Sequence, residues 1–425
     1  MIRPIIYSEA LKENILSRRQ SDLSFAEDSV KKILEEVKTG GDAALKKLTL
    51  QFDGVQLSSL KVSEEEMNAA YRSVDEEYLR ILIASAKNIA RFHEQQYPKG
   101  FEIRENGIVL GQKFTPVACA GIYVPGGTAA YPSTVLMNAV PAKVAGVKKV
   151  VMVTPPDKKG GVKAEVLAAA KIAGVDEIYK VGGAQAIAAL AYGTESVPKA
   201  DKITGPGNIF VATAKRLVFG VCGIDMVAGP SEILVIADKF AKAENVAADM
   251  LSQAEHDKLA TAVLITDDKP LADAVSEELE KQLETLPRKE IARASLENNG
   301  KIIIVKSLKE AAALSDFLAP EHLELCVQEP FEYMKDIHNA GSVFLGYGTP
   351  EAVGDYYAGA NHTLPTGGTA RFASALGVHD FVKSTQYIYY DDASLKAAAA
   401  DIERFAESEG LSAHARSVAK RCENE

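Results

Sequence analysis

The sequence predicts an α/β protein: two modules with parallel sheets, one inserted in the other, and helical extensions at both ends. Three observations predict it. Between residues 147 and 219, short β-branched runs alternate with helical segments, the pattern of parallel strands joined by crossover helices. The alternation breaks near residue 230 and resumes from 233 to 345, so a second sheet is expected. Residues 1–110 and 394–420 read mostly as charged amphipathic helix with no strand texture of their own.

In chain order, residues 25–49 and 63–93 carry apolar side chains at helical spacing, and Asp53-Gly54 between them marks a turn. Residues 147–154 form an apolar strand ended by Pro155-Pro156. Helix 162–173, strand 177–181, helix 184–192, strand 202–204 and helix 208–219 follow. The second series runs strand 233–237, helix 241–254, strand 262–266 and helix 271–286, then strands 302–305, 323–327 and 343–345. The expected division is a helical extension over 1–22, a first module from 23–120 with 230–375, an inserted module over 121–229, and a helical tail over 376–425.

The chain has 425 residues, 47% of them hydrophobic and 25% charged, enough to bury several cores without cross-links. Its net charge of −10 argues against nucleic acid as the main partner, which needs a clustered basic surface. An anionic cofactor would be held mainly by backbone amides. Cys119, Cys222, Cys326 and Cys422 are scattered with no CxxC pair, as in a reducing compartment. No basic segment leads into an apolar stretch at the start, and no run approaches about 18 apolar residues. The expected location is the cytoplasm, with no membrane partner.

Five segments could carry chemistry. Three glycine-rich turns, 124–128, 181–185 and 204–208, each follow a strand. Glycine lets backbone approach a ligand, and amides at a helix start suit phosphate; equally, glycines make tight strand–helix turns. None is GxGxxG or a P-loop. Gln253 and His256 lie three apart on one helix face and could ligate a cation, or simply polarise a helix end. Glu321 and His322 follow Pro320 on a loop running into a strand. Two adjacent titratable groups suit a reaction that sheds several protons, or form a solvated pair. Within 354–368, Asp355 offers a hard oxygen ligand, and His362 a ligand, a proton carrier or a hydrogen-bonder. His414, in the tail, carries no signal alone. His93, His338 and His379 read as structural or surface residues, and no cysteine has a setting that suggests thiol catalysis.

Together these segments resemble the histidinol dehydrogenase family. The resemblance rests on Gly121-Ile122-Tyr123-Val124-Pro125-Gly126-Gly127, Gly182-Gly183-Ala184-Gln185 and Thr204-Gly205-Pro206-Gly207-Asn208. It continues through Ala228-Gly229-Pro230-Ser231-Glu232, Ser252-Gln253-Ala254-Glu255-His256 and Ala319-Pro320-Glu321-His322. Asn361-His362-Thr363-Leu364-Pro365 and Glu409-Gly410-Leu411-Ser412-Ala413-His414 complete it. The resemblance implies two Rossmann-like modules and NAD-dependent, four-electron oxidation of L-histidinol to L-histidine. It implies one zinc per subunit on Gln253, His256, Asp355 and His414. Glu321 and His322 would be catalytic, with NAD on Tyr123, Gln185 and Asn208. Substrate would touch Ser231, His362 and Glu409, together with His322 and the zinc ligands. It further implies a homodimer in which the tail, with Glu409 and His414, enters the partner's site. The rival readings are a related zinc and NAD dehydrogenase of another small alcohol, a zinc hydrolase without redox chemistry, and a catalytically dead nucleotide-binding protein.

Overall fold

The computed structural model describes residues 2–8, 24–126 and 130–423. The expected helical extension over 1–22 therefore falls largely outside the described residues, as do Gly127 and Thr128 of the first glycine turn. The chain divides into two units, Met1–Gln96 with Ala118–Phe381, and Tyr97–Val117 with Val382–Glu425. In chain order, strand β1 (Ile5–Ile6) opens the first unit, and β2 (Phe101–Glu105) and β3 (Ile108–Pro116) belong to the second. The first unit continues with β4 (Cys119–Tyr123), β5 (Lys149–Thr154), β6 (Glu177–Lys180), β7 (Lys202–Thr204) and β8 (Gly223–Ile224). Its second series is β9 (Glu232–Ala237), β10 (Thr261–Thr266), β11 (Lys301–Ile304), β12 (His322–Cys326) and β13 (Ser342–Leu345). Strand β14 (Val382–Tyr390) belongs to the second unit.

Both sheets of the first unit are parallel and share one plan. One runs β6-β5-β4-β7-β8, the other β1-β11-β10-β9-β12-β13. In each, the first strand of the series lies centrally, the next two extend to one side and the last two to the other. The order thus reverses beside β4 and beside β9, and such switch points open a crevice at strand ends. Val150–Val153 and all of β9 are buried, as expected for strands covered by helices on both faces. At the carboxyl end of β9, Asp238 ties together the chain following β9, β12 and β13. It accepts the amides of Phe240 (2.9 Å) and Gln328 (2.8 Å) and the Tyr347 hydroxyl (2.9 Å).

The helical segment Ser24–Asp53, kinked at Gly41 (φ 52°), departs from the expected division. Its apolar stripe, Ala26, Val30, Leu34, Val37, Leu45 and Leu48, packs into one core with Tyr179, Ile187, Leu190 and Val211. It belongs with the 121–229 sheet, not with 230–375. The reason is local: helix Gly183–Tyr192 presents alanines that let a long helix lie close. The expected single helix 63–93 is two, Glu64–Ser73 and Glu76–His93, because Asp75 caps the second by accepting the Tyr78 amide.

The second unit corrects two further expectations. Residues 101–110, expected to be helical, are not: β2 and β3 form a hairpin across Asn106 (φ 46°) and Gly107 (φ 80°), a turn with both central residues left-handed. The tail over 376–425 is not wholly helical either. Strand β14 pairs antiparallel with β3 from Val382↔Pro116 to Tyr390↔Ile108. Only the helices Asp392–Ser408 and Ser412–Cys422 match the expected tail. No helix among the described residues is long and apolar enough to cross a membrane.

Candidate active site

A buried polar cluster lies at the amino ends of β9 and β12. Parallel register sets His322, the first residue of β12, opposite Ile233, so Glu321 stands beside Glu232 at the head of β9. Crossover helices run antiparallel to their strands. The carboxyl end of helix Ala243–Ala254 therefore arrives at the same edge, carrying buried Gln253 on its last turn. His256 follows one residue beyond the cap Glu255, its amide bonded to the Gln253 carbonyl at 3.1 Å. The site thus occupies the opposite sheet edge from the one where α/β crevices usually open.

Asp355 sits on a π-turn, Gly354–Ala358, a device frequent at functional sites. Helix Glu76–His93 clasps this turn: Ser85 Oγ donates to the Tyr356 carbonyl and Asn88 Nδ2 to the Tyr357 carbonyl, both at 2.8 Å. Gly359 (φ 110°) ends the turn, and a Cβ there would lie 2.4 Å from the Asn88 carbonyl oxygen. The loop beyond, with His362, is tied to the 121–229 module. Asn361 Nδ2 donates to the Met137 carbonyl at 2.7 Å, and Thr366 Oγ1 accepts the Gly229 amide at 2.6 Å.

The bonding around His322 is specific. Its Nδ1 lies 3.0 Å from the Glu232 carbonyl and 3.0 Å from Gln253 Nε2. These contacts compete: the carbonyl can only accept, so that bond places the proton on Nδ1 and leaves Nε2 a bare lone pair. Nε2 has no hydrogen-bond partner and faces Glu351 Oε1 at 3.6 Å and Asp355 Oδ1 at 3.8 Å. Glu321 accepts the Glu232 amide at 2.8 Å, with its Oε2 3.7 Å from His322 Nδ1. Gln253 Nε2 also donates to Glu351 Oε1 at 3.2 Å, and its Oε1 has no partner.

Burial dominates the electrostatics. It lowers His322 below the usual imidazole range, opposed by the Asp355 charge. It raises Glu321 well above the carboxylate range, helped by Glu232, Glu351 and Asp355. Asp355 is pushed up to about 7 by burial and by Glu351, and Glu351 to about 8 by burial and by Asp249. His362 is pushed down to about 4 by burial and by the charges of His322 and His256. His256 shows solvent-exposed surface, yet its ring is hemmed in enough that burial and His322 lower it. Crowded acids with raised pKa values, beside an amide oxygen with no partner, fit a bound cation. His322, Glu351 and Asp355 bring ligand atoms within 4.8 Å of one another.

The sequence-derived residues divide accordingly. Glu321, His322, Gln253 and Asp355 come together, His256 and His362 lie close enough to shift one another, and Ser231 precedes β9 with its carbonyl bonded to Thr261. Glu409, at the cap of helix Asp392–Ser408, and His414, in helix Ser412–Cys422, are exposed on the second unit. Tyr123, Gln185 and Asn208 ring the carboxyl ends of β4, β6 and β7. The Tyr123 hydroxyl accepts the Gly183 amide at 3.2 Å, and Gln185 is buried. Asn208 Oδ1 caps its helix, accepting the amides of Phe210 (3.0 Å) and Val211 (3.2 Å). Of the remaining histidines, His93 is buried against Gln96, and His338 and His379 are exposed beside Asp316 and Asp380.

Residues 16–422 match the family described as Histidinol dehydrogenase. The histidinol dehydrogenase of Streptococcus mutans serotype c is 54% identical over 418 residues, covering 98% of this chain and 96% of that one. That of Bacillus cereus is 53% identical over 422 residues, covering 99% and 98%. The chain belongs to the histidinol dehydrogenase family. A crystal structure of the histidinol dehydrogenase from Elizabethkingia anophelis superposes with a TM-score of 0.94 at 38% identity, covering 99% of this chain and 98% of that one. Within the histidinol dehydrogenase frame, sequence reasoning missed Glu351, which is buried, bonded to Gln253 and aimed at His322. Its only sequence signal is its spacing, four residues before Asp355. It also missed Glu324, which shares the His322 face of β12 and accepts the Glu351 amide at 2.7 Å.

Proposed function

We propose that this chain oxidises L-histidinol to L-histidine through L-histidinal, the last step of histidine biosynthesis, as a zinc-containing, NAD-dependent homodimer. The observation that carries this reading is the convergence of Glu321 and His322 with Gln253 and Asp355 at one buried edge. Gln253, His256 and Asp355 would hold the zinc with His414 from a second copy, an N/O set unlike a closed thiolate site. The zinc would anchor the imidazole and amine of histidinol. His322 Nε2, its lone pair bare, takes the hydroxyl proton as hydride departs. Glu321, one oxygen held by the Glu232 amide, takes a proton from the water that hydrates the aldehyde. His322 then serves again in the second oxidation. Ser231 and His362 would contact substrate from this chain, and Glu409 from the second copy. The acidic surround of Glu321, Glu351 and Asp355 suits a cationic amino alcohol.

NAD, the hydride acceptor, would lie at the switch point beside β4, within reach of Tyr123, Gln185 and Asn208. A homodimer is supported by the second unit, which exposes Phe101, Ile103, Ile388, Tyr389 and Phe405 on a small sheet and its helix. All four cysteines are free thiols, in keeping with a cytoplasmic enzyme. Purified protein with zinc, NAD and histidinol should release two reduced nicotinamides for each histidine formed. A ratio near one, with aldehyde accumulating, would sink the four-electron reading.

A further inference from the structure

The turn 204–208 is held by a buried ion pair that the chemistry above does not use. Asp225, just past β8, accepts the Gly205 amide through Oδ2 at 2.8 Å and the Met226 amide through Oδ1 at 2.6 Å. Lys215, on helix Ile209–Val218, donates to the Gly205 carbonyl at 2.9 Å and pairs with Asp225 Oδ1. The two side chains are 2% and 1% exposed. One ion pair therefore binds both the N–H and the C=O of a single residue.

That residue is constrained further. Gly205 has φ 113°, and a Cβ there would lie 2.1 Å from the Tyr123 carbonyl oxygen. The turn thus crosses directly over the end of β4, where the strand order reverses. Stability alone does not account for the pair. Burying two charges carries a desolvation cost that well-packed apolar residues avoid. An apolar pair could not, however, bond both polar groups of Gly205 in one geometry.

We propose that Lys215 and Asp225 are positioning residues for the nicotinamide dinucleotide, fixing the Gly205 turn against which it binds. This rests on the reading of residues 121–229 as the NAD seat. Removing either charge alone would strand the other in the interior and threaten folding. The test is the double variant Lys215→Met with Asp225→Asn, of similar shape and neutral. A second variant, Asp225→Glu, keeps the pair and lengthens its arm by one methylene.

NAD affinity of the zinc-loaded enzyme is measured by calorimetry, alongside kcat, both KM values and the melting temperature. The double variant should bind NAD about tenfold more weakly, a loss of roughly 1.4 kcal/mol, with kcat at saturating NAD and the histidinol KM within about twofold of wild type. Asp225→Glu should weaken NAD by about threefold. A folded double variant with wild-type NAD affinity overturns the proposal, even if it melts lower, as does a loss spread equally over kcat and the histidinol KM. Should the double variant fail to fold, unchanged NAD affinity in Asp225→Glu overturns it instead. A wild-type enzyme that binds no NAD is a different result: it removes the NAD seat itself.

Discussion

At the scale of single residues, Glu321 and His322 are neighbours to which the proposal gives separate tasks. The Glu232 main chain bonds both, accepting from His322 Nδ1 and donating to the Glu321 carboxylate. Glu321→Gln should therefore spare alcohol oxidation relative to aldehyde oxidation, since only the second step consumes water. His322→Asn should damage both, by about 10²–10⁴-fold. Steady-state rates with histidinol and with histidinal read the two steps apart, and equal damage in Glu321→Gln would refute the division. Adjacency made this pair legible in the sequence, because Pro320 ends the preceding helix and a β-branched-poor but apolar strand follows. Glu351 was not legible. A glutamate in a glycine- and proline-punctuated turn, Gly348-Thr349-Pro350-Glu351, looks solvated, and the approach of β12 and Gln253 buries it.

At the scale of elements, the π-turn carrying Asp355 depends on helix Glu76–His93. Gly359→Ala places a methyl against the Asn88 backbone at a left-handed φ, a strain of about 1–3 kcal/mol. The expected outcome is displacement of Asp355, read as lower zinc content after dialysis and lower kcat. Wild-type zinc content in a folded Gly359→Ala protein would show that the clasp does not place the ligand. Local pattern revealed most of the parallel strands, which are apolar runs beside crossover helices, but not β1 and β8, two residues each and too short to leave a pattern. It hid β2, where Glu102, Arg104 and Glu105 suggested the polar face of a helix. The Asn106-Gly107 dipeptide was the available hairpin signal. Strand β14 was hidden for another reason: its partner β3 lies more than 260 residues earlier, beyond any local pattern.

At the scale of the whole molecule, the proposed dimer makes a claim that mixing can test. His414→Ala and His322→Ala chains should each be inactive alone. If tails are exchanged, a heterodimer has one doubly defective site and one intact site, so reassembly from a mixture should restore activity. Mass-verified heterodimers without activity would rule out the shared site. A His414→Ala protein that binds zinc as tightly as wild type would remove His414 from the ligand set. The two sheets of the first unit repeat one strand order, yet they are not used alike. At the carboxyl end of β9, Asp238 is bonded to the Gln328 amide and the Tyr347 hydroxyl. If NAD takes the proposed seat beside β4, one seat and two hydrides mean that both acceptors cannot load at once. The spent carrier would then leave and a fresh one arrive midway, so the reactive half-oxidised molecule would be the passenger that stays aboard.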